Sequence, residues 1–357
     1  MRILYGVQGT GNGHLSRARA IAPHLAAAGA EVTYLFSGRE RDQFFDMEPF
    51  GDWICLSGMT LLTANGKVRT LATAQRNNPW RLWQEIKNLD LSGYDLVITD
   101  FEPVSAWAAR RQKVPSIAVG HQYAFHYDIP QTGDSIISRN VMRMFAPAKV
   151  QLGLHWYHFE QPILPPICDL DEHPSAVIDN KIIVYLGFES PDVVIPLLKA
   201  FPETEFYYYC AEFNQAEDLG HIHKRPICRD GFKKDLADCY GVICNAGFEL
   251  VSEALHLSKR VLVKPLHGQM EQLSNALALE QLDLGSTMDE LNKDSIGTWL
   301  KTAKQPHCQY PDVAKAIVEW IMAGDWSSPG SLSEKLWSQT NQTVAKSYQT
   351  EEAVTSS

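Results

Sequence analysis

Residues Cys244–Gly285 read CNAGFELVSEALHLSKRVLVKPLHGQMEQLSNALALEQLDLG. The apolar run ending at Cys244 reads as a buried strand, Asn245–Gly247 as a small-residue turn, and the segment from Phe248 as a helix that contains Glu253. A second apolar run leads to Pro265, a loop follows, and Glu271–Gln272 enters another helix. Amides at a helix start suit a diphosphate, and a carboxylate one or two turns in can accept from two vicinal ribose hydroxyls. A Glu–Gln pair can hold sugar hydroxyls by acceptor and donor together. All three groups fall at or just beyond the carboxyl end of a parallel strand, where open α/β sheets bind ligands.

Working outward, that unit belongs to a series of continuous apolar strands at Ile182–Leu186, Glu205–Tyr209, Gly241–Cys244 and Val261–Val263. An earlier series runs through Ile3–Val7, Val32–Phe36, Trp53–Leu56, Leu96–Thr99 and Ile117–Val119, with helical periodicity at Leu15–Ala28 and Val104–Arg111. Runs without alternation imply parallel sheets buried on both faces. The stretch Gln151–Asn180 between the series carries Pro162, Pro165, Pro166 and Pro174 and reads as a connection. The expected architecture is α/β, with two Rossmann-like domains whose parallel sheets face a central cleft. Residues 1–156 form the first domain, 157–180 the connection, 181–330 the second domain, and 331–357 a C-terminal helix and a polar tail whose end frays.

The chain opens with MRILYGVQGTGNGHLSRARA. Neither register of its glycines completes G-x-G-x-x-G, since the third position falls on His14 or Ser16, and no Gly-Lys-Ser/Thr closes a Walker loop. What remains is a tight turn of Gly11, Asn12 and Gly13 that lets another molecule approach the backbone, with His14 at the start of a helix. DLVITDFEP places Asp100 at a strand end, where it can orient a basic histidine. Plainer readings stand beside these: His14 packing the first turn, and Asp100 capping the helix that follows.

The Cys244–Gly285 segment resembles the nucleotide-sugar donor site of GT-B glycosyltransferases, especially relatives of the peptidoglycan enzyme MurG and the plant UDP-glycosyltransferases. NAGFELVSE is similar to the plant HCGWNSxxE, PLHGQMEQLSNA to PxxxDQxxNA, and GTGNGH to the GTGGH of MurG. The nearest resemblance is to a prokaryotic MurG-like family, over nearly the whole chain. It implies an inverting, metal-independent transfer from a nucleotide-sugar donor, UDP-linked, to an acceptor hydroxyl, with His14 as general base and Asp100 as its orienter. Gly247 and Phe248 would meet the diphosphate, with Gly187 in YLGFES as a second phosphate contact, Glu253 the ribose, and Glu271 with Gln272 the transferred sugar. Asn245 stands where the plant pattern has a phosphate-contacting His, and Glu271 replaces its Asp. In GHQYAFHYD, His121 and Gln122 fall where MurG has HEQN on the acceptor side. No cofactor is implied, because the nucleotide sugar is a substrate.

The formal net charge of −10 argues against a nucleic-acid partner. Residues 1–156 nonetheless hold 16 Lys+Arg against 13 Asp+Glu, while the remainder holds 16 against 29. The seven scattered cysteines lack any CxxC pair and read as reduced thiols. Asp169–Asp171 mimics a metal-binding DxD but lies in the proline-rich connection, so no metal site is expected. Lys67–Asn88 and Arg139–Phe145 mix basic residues with Trp80, Trp83 and other apolar groups, which allows transient membrane contact and a lipid-linked or glycan acceptor. The first residues read as a strand and not as a leader, so the expected location is cytoplasmic, peripheral at the inner face of the membrane, in envelope or polysaccharide synthesis. Rival functions are a nonhydrolysing UDP-sugar epimerase, a non-catalytic sugar-nucleotide-binding protein and, third, an NAD(P) oxidoreductase.

Overall fold

The computed structural model describes residues 1–59, 63–64, 67–68, 78–132, 142–169, 176–345 and 348. Its first sheet contains β1 (Arg2–Gln8), β2 (Glu31–Ser37), β3 (Trp53–Leu56), β4 (Leu96–Asp100), β5 (Ser116–Gly120) and β6 (Val150–Gly153), in the order β3-β2-β1-β4-β5-β6. Every neighbouring pair in it is parallel. The central strands β1, β4 and β5 bury nearly every residue on both faces, β4 and β5 all five positions each, as the unbroken apolar runs require, whereas edge strand β3 is half-buried along its length.

The second sheet contains β7 (Lys181–Tyr185), β8 (Glu205–Tyr209), β9 (Glu217–Leu219), β10 (Ile222–Arg225), β11 (Gly241–Asn245), β12 (Arg260–Lys264) and β13 (Ser286–Thr287). Their order is β9-β10-β8-β7-β11-β12-β13, and only the β9–β10 edge pair is antiparallel. Strand order reverses between β1 and β4 in the first sheet and between β7 and β11 in the second. These are the switch points at which crossovers leave in opposite directions and open a crevice beyond the strand ends. His14 follows β1 and Asp100 ends β4; Gly187 and Gly247 follow β7 and β11.

Helix α1 (Asn12–Ala27) buries Leu15, Ala18, Ala22 and Leu25 at helical spacing, together with Arg17, Arg19 and Ile21. It starts without a side-chain cap and without an acidic residue in its first turn, so the first amides are left to other partners. Between β3 and β5 lie α2 (Pro79–Asn88) and α3 (Pro103–Gln112). The second half adds α4 (Pro191–Leu198), α5 (Arg229–Asp238), α6 (Phe248–His256), α7 (Met270–Gln281) and α8 (Lys293–Thr302).

Two features are not part of the sequence reading. Residues 150–153, inside the 1–156 bound, form a further edge strand, β6, with Leu152 and Gly153 buried against β5. Of the C-terminal helices α9 (Val313–Ala323) and α10 (Pro329–Ser338), α9 returns to the first half and packs on α1, with His24 3.5 Å from Asp312, while α10 docks on the connection. Ser333 and Trp337 of α10 both donate to the carbonyl of Ile163, at 2.7 and 2.6 Å. The expected fraying concerns residues outside the described set.

Candidate active site

The turn after β4 is built on Glu102. Its carboxylate accepts from the amides of Val104 and Ser105, at 2.9 and 2.6 Å, and from the Ser37 hydroxyl at 2.7 Å. Glu102 is thus the N-cap of α3, and Asp100 is not. Phe101, between them, holds φ at 53°, a left-handed conformation unusual for a bulky residue. That conformation separates the capping carboxylate from the strand-end one and leaves Asp100 to the crevice side.

Asp100 is fully buried and meets two partners. The Nδ1 of His14 stands 2.7 Å from Oδ1, and Arg17 donates from Nε to Oδ2 and from Nη2 to Oδ1, both at 2.6 Å. Burial favours the neutral acid, but Arg17 and His14 outweigh it and hold the carboxyl below its ordinary range. With Nδ1 committed to a carboxylate, the nitrogen left to take a proton is Nε2. Arg17 does not stand out in the sequence. Its signal was position, since i and i+3 share a helix face and Arg17 follows His14 by three.

Arg17 extends the cluster across the crevice by donating from Nη1 to Glu249 in the first turn of α6. Gly13 makes room for that carboxylate, which a Cβ at this position would strike. Asn12 contributes a second crossing contact, its amide 3.5 Å from the Tyr185 hydroxyl, and accepts from Arg39 at 2.9 Å. Gly11 is the backbone N-cap of α1, beside the ring of His14.

On the opposite wall, no atom of the described residues lies within 4 Å of where a Cβ of Gly187 or Gly247 would stand. Gly247 is also the N-cap of α6, with no side-chain acceptor for the amides there. Asn245 is buried, donates to the Lys264 carbonyl at 3.0 Å, and keeps a buried Oδ1 without a partner among the described residues. Lys264, equally inconspicuous in the sequence, reaches Glu189 in the Gly187 loop at 2.6 Å.

Glu253 lies one turn deeper in α6 and is buried. Burial pushes its carboxyl up to about 8, the charges of Asp169 and Glu249 add to the shift, and Lys233 opposes it. The shift favours the neutral acid, which can donate as well as accept. Asp169 is engaged by Arg229 and Lys233, each at 3.0 Å, which is a salt-bridge role for the first carboxylate of the DxD-like stretch. Asp171 lies outside the described residues.

Four of the expected contacts meet each other. Gln122 donates to both oxygens of Glu271, at 3.2 and 3.3 Å, from opposite sides of the crevice. His121 is buried, 2.8 Å from the Leu154 carbonyl and 2.7 Å from Oδ1 of Asn275. Its ring stacks on Phe248, with centroids 3.9 Å apart and planes at 2°. The Phe248 side chain thus seals the two halves together, beside Trp156 at 5.1 Å, and only its main chain faces the helix start. Gln272 is likewise buried, and its Oε1 accepts from the amide of Leu266 at 2.9 Å. Each polar side chain spent on such a bond is held in one orientation at the crevice floor.

A family model described as glycosyl transferase family 1 matches residues 1–303. No curated protein sequence matches the chain. The glycosyltransferase SnogD from Streptomyces nogalater superposes with a TM-score of 0.54 at 15% identity, over 95% of this chain and 99% of that one. LpCGTa in complex with UDP gives 0.57 at 13% identity, over 95% and 98%. The spinosyn rhamnosyltransferase SpnG complexed with spinosyn aglycone gives 0.51 at 14%, over 94% and 100%. At these identities the likeness establishes the GT-B fold.

Proposed function

The chain belongs to glycosyl transferase family 1, and from that premise we propose that it moves a sugar from a UDP-linked donor to an acceptor hydroxyl with inversion at the anomeric carbon. The observation that carries this reading is the 2.7 Å contact between His14 and Asp100 at one switch point, opposite the two open glycine turns at the other. The acceptor oxygen loses its proton to Nε2 of His14 and bonds to the anomeric carbon. The bond from that carbon to the diphosphate breaks, and the nucleoside diphosphate leaves with the electron pair. Amides of the Gly187 and Gly247 turns meet the developing charge, Glu253 holds the ribose, and Glu271 with Gln272 fixes the sugar. No metal is needed in this scheme.

An epimerase would hold one substrate and need no acceptor base, and a binding protein would need no base at all. The family match and the His14–Asp100 pair favour transfer over both. The donor assignment is tested by calorimetric titration of UDP into Glu253→Ala. Loss of the ribose contact is expected to weaken binding about tenfold, the effect of one hydrogen bond to a substrate group. Wild-type affinity in the variant removes Glu253 from the site.

A MurG-like use of a lipid-linked acceptor in envelope synthesis is supported by the outer face of the first half. Helix α2 buries no residue, and Trp80 and Trp83 are 63% and 48% exposed with rings stacked 5.0 Å apart. Lys87 lies 5.2 Å over Trp83, and Arg81 shares the helix. Paired indoles beside cations suit an anionic bilayer surface; residues 69–77 and 139–141 of the same basic stretches lie outside the described residues. No described helix is long and apolar enough to cross a membrane. Co-sedimentation with phosphatidylglycerol vesicles is expected to retain the wild type and release a Trp80→Ser, Trp83→Ser double variant. Equal partitioning of the two, or no binding by either, contradicts the membrane reading.

A further inference from the structure

The Arg17–Glu249 bond is where the second half reaches the proposed base. We infer that Glu249 is a positioning residue that sets the His14–Asp100 pair only when the two halves are docked; this rests on His14 being the base.

One oxygen of Asp100 serves two donors. His14 Nδ1 stands 2.7 Å from Oδ1, Arg17 Nη2 stands 2.6 Å from it, and those two nitrogens are 3.0 Å apart. A guanidinium stays charged and holds its donors in a rigid fork, so it cannot yield the oxygen by losing a proton. Asp100 and Arg17 taken alone cancel, and the imidazole then faces a neutral pair whose cation lies against its own nitrogen. Glu249 on the far side of Arg17 restores one net negative charge to the cluster. By holding Nη1 it also fixes the fork, and with it the share of Oδ1 left to the ring.

Burial makes this compensation matter. The side chains of Arg17 and Asp100 are 1% and 0% exposed, so solvent screens little between them, whereas Glu249 at 18% lies at the crevice edge. His14, Arg17 and Asp100 come from α1 and β4, and Glu249 comes from α6. The cluster is therefore complete only when the α6 turn lies on Gly13. Glu249 also replaces the Asn of the plant-like pattern at a helix start assigned to a diphosphate. There an uncompensated carboxylate would repel the ligand, and Arg17 cancels it.

Glu249→Gln keeps the size and an acceptor oxygen for Arg17 while removing the charge. For a donor and acceptor turned over by the wild type, kcat is expected to fall about tenfold, with donor KM held within about threefold. Glu249→Asp, which keeps the charge on a shorter arm, recovers part of the loss. In a His14→Gln background, where no base remains to be set, Glu249→Gln costs nothing further, because residues that act as a unit are not additive. Wild-type kcat in Glu249→Gln overturns the inference, as does a loss carried by donor KM or an undiminished effect in the His14→Gln background. Full activity of His14→Gln alone removes the premise instead, so the two failures are distinguishable.

Discussion

Replacing His14 with alanine is expected to lower the kcat of sugar transfer about 1,000-fold, the middle of the range for a positioned general base, and to leave nucleotide affinity within about threefold. The split follows from placement. His14 opens α1 in the first half, whereas the turns and carboxylates assigned to the donor follow β7, β11 and β12 in the second. The imidazole is bound to Asp100 and lies beside Arg17, so its removal takes away a proton acceptor and leaves the opposite wall in place. Turnover of the variant with synthetic donor, set beside a calorimetric titration of UDP, reads both quantities. Loss of UDP affinity together with turnover would mean that His14 is a donor contact, and unchanged turnover would mean that proton removal is done elsewhere.

Arg17→Met is expected to destabilise the protein by about 3–5 kcal/mol, because breaking one side of a buried ion pair strands the other charge. Asp100 would keep only His14, and Glu249 would lose its partner across the crevice. The pH dependence has a definite sign. Asp100 is held below its ordinary value of 3.8 in the folded state, so its pairing stabilises above that pH and is lost as pH falls through the lowered value. The gap between wild type and Arg17→Met therefore closes in acid, where Asp100 takes a proton and no longer needs the guanidinium. Urea midpoints followed from about pH 7 downward through and below Asp100's ordinary value of 3.8 measure this. A variant as stable as the wild type at pH 7, or a gap that widens in acid, contradicts the account of the cluster.

The strand ends were legible because a buried parallel strand must be apolar at consecutive positions. Ile3–Val7 and Leu96–Thr99 therefore announced themselves, and the residues just after them followed. Asp100 stood out as a polar residue at such an end, and the structure resolves its plainer reading by giving the cap to Glu102. Arg17 and Glu249 did not stand out, since their meaning lies in a contact between residues 232 positions apart. Phe248 and His121 read as ligand contacts on opposite walls, and no local pattern reveals that their rings stack on each other. The return of α9 onto α1 was equally hidden, because an amphipathic helix shows which face it buries but not against what. Strand β6 was hidden because four residues at a sheet edge are too short to carry a pattern of their own.

The account is tested most directly by the shift in melting temperature with UDP, GDP, dTDP, their sugar conjugates and NADPH at equal concentration, since a ligand of the folded state raises that temperature by mass action. A UDP form is expected to raise it most, and Glu253→Ala to lose most of that rise. A rise with NADPH and none with any nucleoside diphosphate or nucleotide sugar would contradict a donor site between these two sheets.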